Sequence, residues 1–264
     1  MLETLTAVLL SSIPAPSPAP APPPVKVMAF NVLYKGADDA ASVKAIASRA
    51  PDVLCLTELT DPFVKAFDAK LESDYPYRHF ETTQGTWGVG IASKFPILSV
   101  ASTPVPPLKL PAMEAQLSVR GQTLAVTCVH LNPPAGKHKK SDSFTTTLEK
   151  NADVREKQAQ WLVERYAKLT QPLLVIGDFN EESVGRAMNT FAKAGLADAC
   201  ESAHNGGCGP TFPGPAEPWP AVFTIDHLLG RKVCFTQGEV VRAGGSDHYP
   251  VAGELQLGAC AKAR

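Results

Sequence analysis

The sequence predicts an α/β domain over residues 25–257, and three observations predict it. Short apolar runs bounded by turn residues recur along the chain and outnumber the helical segments. No internal repeat appears. With 264 residues, 44% of them hydrophobic, the chain can bury one sizeable core, as one large domain or two small ones.

Val25–Phe30 (VKVMAF) reads as a strand ending in Asn31. Ala40–Arg49 reads as a helix, and Pro51 starts the next unit. Val53–Leu56 is a buried strand ending at Thr57-Glu58, and Pro62–Leu71 is helical. Gly88–Ser93 and Ile97–Ser102 are short strands broken by Lys94-Phe95-Pro96. Ala115–Val119 and Gln122–Leu131 look like a hairpin around Arg120-Gly121. Val154–Leu169 is a helix with Leu162, Tyr166 and Trp161 among its buried candidates. Leu173–Ile176 is a strand, Ser183–Ala194 a weak helix, and Phe223–Leu229 and Val251–Leu255 are the last strands.

Residues 1–24 differ from the rest. Leu5–Ile13 is a short apolar stretch, and Pro14–Pro24 (PAPSPAPAPPP) cannot form a helix interior or a central strand. That run is expected to be an extended tether. The apolar stretch resembles the end of a secretory signal, although Glu3 stands where positive charge belongs and no Lys or Arg precedes Lys26. The expected location is therefore secreted or periplasmic, or cytoplasmic if the leader is not a signal. Residues 258–264 read as a C-terminal tail. No run of 18 apolar residues exists, so no ordinary membrane-spanning helix is expected. The apolar fraction excludes a wholly disordered chain. The net charge of −1 argues against a chain dominated by nonspecific polyanion binding, without excluding a local basic patch.

The residues at the strand ends carry the functional signal. VKVMAF ends in Asn31, DVLCLT in Glu58, LAVTCV in His130 with Asn132 beyond, and LLVIG in Asp178-Phe179-Asn180. FTI runs into Asp226-His227, and a glycine pair into Ser246-Asp247-His248. Any one of these is an ordinary turn former, cap or core histidine. Together they describe polar groups presented at one edge of a sheet by a rigid scaffold. The set is rich in oxygen and holds no cysteine, which suits Mg²⁺ or Mn²⁺ better than zinc.

These residues, in this order, resemble the endonuclease/exonuclease/phosphatase superfamily of metal-dependent phosphoesterases. The matching segments are AFNV at 29–32, LTE at 56–58, VHLN at 129–132, IGDFN at 176–180, IDHLL at 225–229 and SDHYPV at 246–251. Gly88–Ile97 also looks like the family's central strand and turn. The resemblance implies a four-layer α/β/β/α sandwich, with two mixed β-sheets packed face to face and the site at one end. One departure is Thr57, where the family often has Gln before its metal-binding Glu; the change removes an amide and keeps the carboxylate. The segment after His130 varies in the family, so substrate specificity does not carry over.

By this resemblance Glu58 binds Mg²⁺ (or Mn²⁺), helped directly or through water by Asn31 and Asp247. Asp178 orients or deprotonates the attacking water, and Asn180 holds the water or a phosphate oxygen. His248 donates to a phosphoryl oxygen, His130 is the second imidazole, and Asp226 orients one of the two. Which histidine protonates the leaving oxygen stays open. The implied activity is metal-dependent hydrolysis of a phosphoester by in-line water attack, on nucleic acid first. The alternatives are a phosphatase, a phospholipid or inositol phosphodiesterase, or a non-catalytic binding protein. The intact polar set argues against the last. A monomer acting on nucleic acid or another phosphoester is expected. The histidine pair resembles the secreted deoxyribonucleases more than the abasic-site endonucleases, whose pattern places a tyrosine mid-chain.

Lys137, Lys139 and Lys140 lie beyond His130 in a loop. They read either as a solvated charge run or as contacts to a phosphate backbone or anionic headgroup. Arg155 and Gln158 read first as helix-surface polarity and otherwise as residues pointing to the site, and Trp219 reads first as packing and otherwise as a rim that stacks on a base or lipid. Cys200 and Cys208 are close enough to bridge, and Cys234 and Cys260 can pair if the tail folds back. Cys55 and Cys128 read as buried, unreactive thiols.

Overall fold

The computed structural model describes residues 22–136, 139–203, 207–258 and 260. Its elements in chain order are β1 (Val25–Asn31), α1 (Asp39–Arg49), β2 (Val53–Thr57), α2 (Asp61–Leu71), β3 (Tyr77–Glu81), β4 (Val89–Ser93), β5 (Ile97–Val105), β6 (Leu110–Val119) and β7 (Gln122–His130). They continue with α3 (Phe144–Tyr166), β8 (Leu173–Asp178), α4 (Arg186–Lys193), β9 (Ala197–Asp198), α5 (Ala199–Ala203), β10 (Asp226–Arg231), β11 (Val233–Val240) and β12 (Val251–Leu257).

The helices start where side chains can satisfy their first amide groups. Asp38 accepts from Ala41 N–H, Thr60 from Phe63 N–H and Ser143 from Thr146 N–H. The Ser143 cap begins α3 ten residues before the expected Val154, because a good cap and the buried Thr147 and Asn151 outweigh the weak propensity of TTT. β3 and β11 have no counterpart among the expected strands. Both lie at edges of the first sheet, where partial exposure removes the apolar signature of a buried strand. The strand expected from Phe223 begins at Asp226, and Phe223 instead makes an isolated bridge to Phe212.

The strands form two six-stranded sheets, ordered β11-β12-β1-β2-β4-β3 and β5-β6-β7-β8-β10-β9. The central pair of each is parallel, β1 with β2 and β7 with β8, and the other pairs are antiparallel. Both sheets are therefore mixed. One core, including Val27, Ile91, Leu117 and Ile176, lies between the sheets. A second joins Leu162 and Phe191 of α3 and α4 to the outer face of the β7–β8 sheet. A third joins Ile46 and Phe67 of α1 and α2 to the outer face of the β1–β2 sheet. The layers are thus α/β/β/α.

The cysteines correct one expectation. Cys200–Cys208 and Cys234–Cys260 are bridged, and so are Cys55 and Cys128, with a Cα–Cα distance of 5.4 Å. The latter two are not free core thiols. β2 and β7 come from different sheets, and their inward-facing side chains meet across the sandwich interface. A linear sequence does not reveal that pairing. No helix among the described residues is long and apolar enough to cross a membrane.

Candidate active site

Parallel pairing brings the ends of neighbouring strands to the same edge. In one sheet Asn31 lies opposite Thr57, so Glu58 comes next beside Asn31. In the other, His130 lies opposite Asp178, and β10 begins at Asp226 on the far side of Asp178. The amide of Asn31 joins the two sheets. Its Nδ2 donates to Glu58 Oε1 at 3.2 Å and to Asp178 Oδ2 at 3.0 Å. The same Asp178 oxygen lies 3.4 Å from His130 Nε2 and 3.8 Å from His248 Nε2. The other nitrogen of His248, Nδ1, pairs with Asp226 Oδ2 at 2.8 Å. Asn180 N–H donates to Asp178 Oδ1 at 2.8 Å, and its side chain to the Leu131 carbonyl at 3.0 Å. The expected residues Asn31, Glu58, His130, Asp178, Asn180, Asp226 and His248 thus form one network, and Asp226 orients His248 rather than His130.

Local backbone shape places these groups. Glu58 and Asn180 adopt left-handed φ values of 58° and 52°, which is uncommon for non-glycine residues and turns each side chain back over its strand end. Next to Glu58, Leu59 N–H donates to the Gly88 carbonyl, and a Cβ on Gly88 would meet Leu59 O at 1.9 Å. Only glycine lets that turn close. Ser246 Oγ donates to the Asn31 carbonyl at 2.6 Å and accepts from His248 N–H, which seats the 246–248 turn on β1. Asp247 is half-buried beside it, with Oδ1 3.3 Å from Ser246 Oγ.

The electrostatics are those of an acid-rich, partly dry site. Burial raises the Glu58 and Asp247 carboxyls above the usual range, with neighbouring Asp178 adding to both. Burial would depress His248, but Asp226, Asp178 and Asp247 outweigh it and push it up to about 10. Among the described residues, no lysine or arginine is among the groups acting on these three. Two buried atoms, His130 Nδ1 and Asp226 Oδ1, have no hydrogen-bond partner among the described residues. A concentrated negative set offset only in part by its imidazoles fits a hard divalent cation. Asp178, Asp226 and His248 form a buried acidic/His group that can hold a metal, with ligand atoms within 4.8 Å of one another. Tight pairing of Asp226 to His248 competes with that use. In contrast, Glu58 keeps ligand capacity, accepting among the described residues from the Asn31 amide and from Tyr34 N–H at 3.1 Å. Asn31 donates its Nδ2 to the Glu58 carboxylate, and its Oδ1 accepts from Leu33 N–H at 3.1 Å with one lone pair still available.

Other expectations fare differently. Lys139 and Lys140 are exposed, and Lys137 lies outside the described residues. Arg155 and Gln158 are not surface polarity. Both are buried, because α3 turns that face toward the end of β7. Trp219 is not packed but 70% exposed, on a loop whose Gly214 and Ala216 N–H groups bind the Asp247 and Ser246 carbonyls. Two aromatic neighbours carried no sequence signal: Trp87 lies against His130 and Phe212 against His248, each with ring centroids 5.0 Å apart. Thr211 Oγ1 accepts from Ile225 and Asp226 N–H and anchors the start of β10.

Comparison with known proteins agrees with this fold. A sequence model of the Endonuclease/Exonuclease/phosphatase family matches residues 28–248. No curated protein matches. Among solved structures, humanized D. rerio TDP2 is similar with a TM-score of 0.68 and 18% identity, covering 89% of this chain and 99% of that one. SmcL gives a TM-score of 0.69 at 15% identity, over 88% of this chain and 99% of that one. The human Nocturnin catalytic domain with bound sulfate gives 0.64 at 20% identity, over 89% and 94%. At these identities the likeness is one of fold.

Proposed function

This chain belongs to the Endonuclease/Exonuclease/phosphatase family, and from that premise we propose that it hydrolyses phosphoester bonds with the help of Mg²⁺ or Mn²⁺. The observation that carries the proposal is the convergence of Asn31, Glu58, His130 and Asp178 from two different sheets on one hydrogen-bonded network. Glu58 and Asp247 would hold the ion, with Asn31 fixing Glu58. A bound divalent ion neutralises phosphate charge and stabilises the leaving oxygen. The chain's own residues then divide the work. Asp178, held on one oxygen by Asn180 N–H, orients and deprotonates the attacking water with the other. Asn180 fixes that water or a phosphate oxygen. His248, aimed by Asp226, donates to a phosphoryl oxygen as charge grows, and His130 serves as the second imidazole.

The substrate reading is nucleic acid, with the exposed Lys139 and Lys140, together with Lys137, as backbone contacts beside the site. One observation favours a second reading, a lipid or other apolar phosphodiester. Trp219, Val222 and Phe223 are exposed on the loop tied to the 246–248 turn. A monomer exported to an oxidising compartment is the proposed setting, supported by three disulfides and no free cysteine among the described residues. The test is purified protein with Mg²⁺ on plasmid DNA, RNA, bis-p-nitrophenyl phosphate, phospholipid and inositol phosphates. Turnover is expected to vanish in EDTA, return with Mg²⁺ and fall at least about tenfold in Asp178→Ala and His248→Ala. Retained activity in either variant would overturn the assignment. On DNA the rate should fall with salt, and Lys137, Lys139 and Lys140 changed together to Ala should flatten that slope.

A further inference from the structure

We infer that Arg155 is a positioning residue for this reaction, acting with Glu181 to hold the His130 end of β7 and the Asn180 end of β8 in fixed relation. The inference rests on the proposed phosphoesterase activity. Three side chains on one face of α3, at 151, 155 and 158, reach the same residue, Asn132, two positions beyond His130. Gln158 Oε1 accepts from Asn132 N–H at 3.0 Å. Arg155 Nη1 donates to the Asn132 carbonyl at 3.1 Å. Asn151 Oδ1 accepts from the Asn132 side chain at 2.7 Å. Both backbone groups of Asn132 are therefore held by a helix that lies behind the site.

Arg155 also reaches the other strand end. Its Nε donates to Glu181 Oε2 at 2.7 Å, and both residues are buried. Glu181 comes directly after Asn180 and is itself fixed at two more points. Its Oε1 accepts from Arg186 N–H at 2.7 Å, and its carbonyl lies 2.9 Å from His227 Nε2. Gly185 is required beside it, since a Cβ there would come within 2.2 Å of the Glu181 carboxylate. The two strand ends are further joined by Asn180 Nδ2 on the Leu131 carbonyl. One guanidinium fork thus spans the loops beyond His130 and Asp178 without touching any reacting group. Arginine suits this because its planar donors point in two fixed directions, which a lysine ammonium cannot reproduce. A catalytic group displaced by about 1 Å costs about 10²-fold in rate.

The experiment compares Arg155→Lys with wild type on bis-p-nitrophenyl phosphate at saturating Mg²⁺, after thermal melts establish that the variant is folded. The expected result is kcat lower by about 10- to 100-fold with KM within about twofold. The readout that separates positioning from plain destabilisation is a double-mutant cycle with Asn180→Ala. If Arg155 acts through the Asn180 loop, Arg155→Lys costs less than about threefold in that background. Equal losses in both backgrounds, or unchanged kcat in the folded single variant, would overturn the inference. Should Arg155→Lys not fold, Glu181→Gln keeps the side-chain volume and is run through the same cycle. Hydrogen exchange gives a second readout free of catalysis. The Leu131 and Asn132 amides should exchange faster in the variant while the β8 core amides do not, and unchanged protection would count against the inference. Absence of any hydrolysis by the wild type would instead refute the proposed activity, and the inference would fall with it.

Discussion

Asp226→Asn isolates the role of the carboxylate behind His248. Asp226 Oδ2 lies 2.8 Å from His248 Nδ1, and both side chains are buried. With an effective dielectric of about 20, the gross attraction between imidazolium and carboxylate at that separation is about 6 kcal/mol. An asparagine keeps the size and one acceptor, so we take about half of this as lost, about 3 kcal/mol, or about 10²-fold in kcat. The assay is hydrolysis of bis-p-nitrophenyl phosphate across a Mg²⁺ titration, with Glu58→Gln as the contrast. Asp226→Asn should lower the plateau rate without moving the Mg²⁺ concentration for half-activation, whereas Glu58→Gln should raise that concentration. Asp178, Asp226 and His248 are near enough to hold an ion themselves. If they do, excess Mg²⁺ will rescue Asp226→Asn. Such rescue, or a plateau rate within about fivefold of wild type, would refute the orienting role.

The scaffold supports three further outcomes. Gly177 has φ +140°, and a Cβ there would meet Val129 O at 2.1 Å, so Gly177→Ala should pry β7 from β8. The expected loss is about 3 kcal/mol, a fall of about 6–12 °C in melting temperature, and an unshifted melt would contradict it. For His227, burial works downward, but the hydrogen bond and charge of Asp198 outweigh it and leave the imidazole raised above its ordinary 6.5. Its stabilising contribution is therefore complete below pH 6.5 and is lost as pH rises through the folded-state value. Thermal melts from pH 6 to 9 should show that decline in the wild type and a flatter profile in Asp198→Asn. For the cysteines, native protein should titrate no free thiol. Cys55→Ala with Cys128→Ala, which opens a loop of 73 residues, should cost about 4 kcal/mol in denaturant melts.

The legible parts of this molecule are those that repeat a local rule. Strand ends in Asn31, Glu58, His130 and Asp178 are visible because buried strands have no other reason to finish in carboxylate, amide and imidazole. The unread parts depend on what the fold brings alongside. Arg155 and Gln158 look like solvated helix residues until α3 packs so that they reach Asn132. Cys55 and Cys128 lie in separate apolar strands, and only the face-to-face packing of the sheets makes them a pair. β3 and β11 carry no alternation because each lies at a sheet edge. Trp87 is a lone aromatic in a turn, and its contact with His130 exists only once the two sheets meet.

Net charge has a different meaning once positions are known. The total of −1 is a balanced sum, yet Glu58, Asp178, Asp226 and Asp247 crowd one edge and, among the described residues, no lysine or arginine acts on Glu58, Asp247 or His248. Several arginines are engaged elsewhere, Arg49 on Glu239, Arg165 on Glu114 and Arg155 on Glu181. Acids left without partners at a buried edge destabilise the fold unless a cation or a protonated imidazole offsets them. His248 answers part of that charge from within the chain, through Asp226. His130 offsets Glu58 and His248 offsets Asp247 in part, yet burial still holds both carboxyls above their usual range, and that residual cost is what a divalent ion would relieve under the proposed activity.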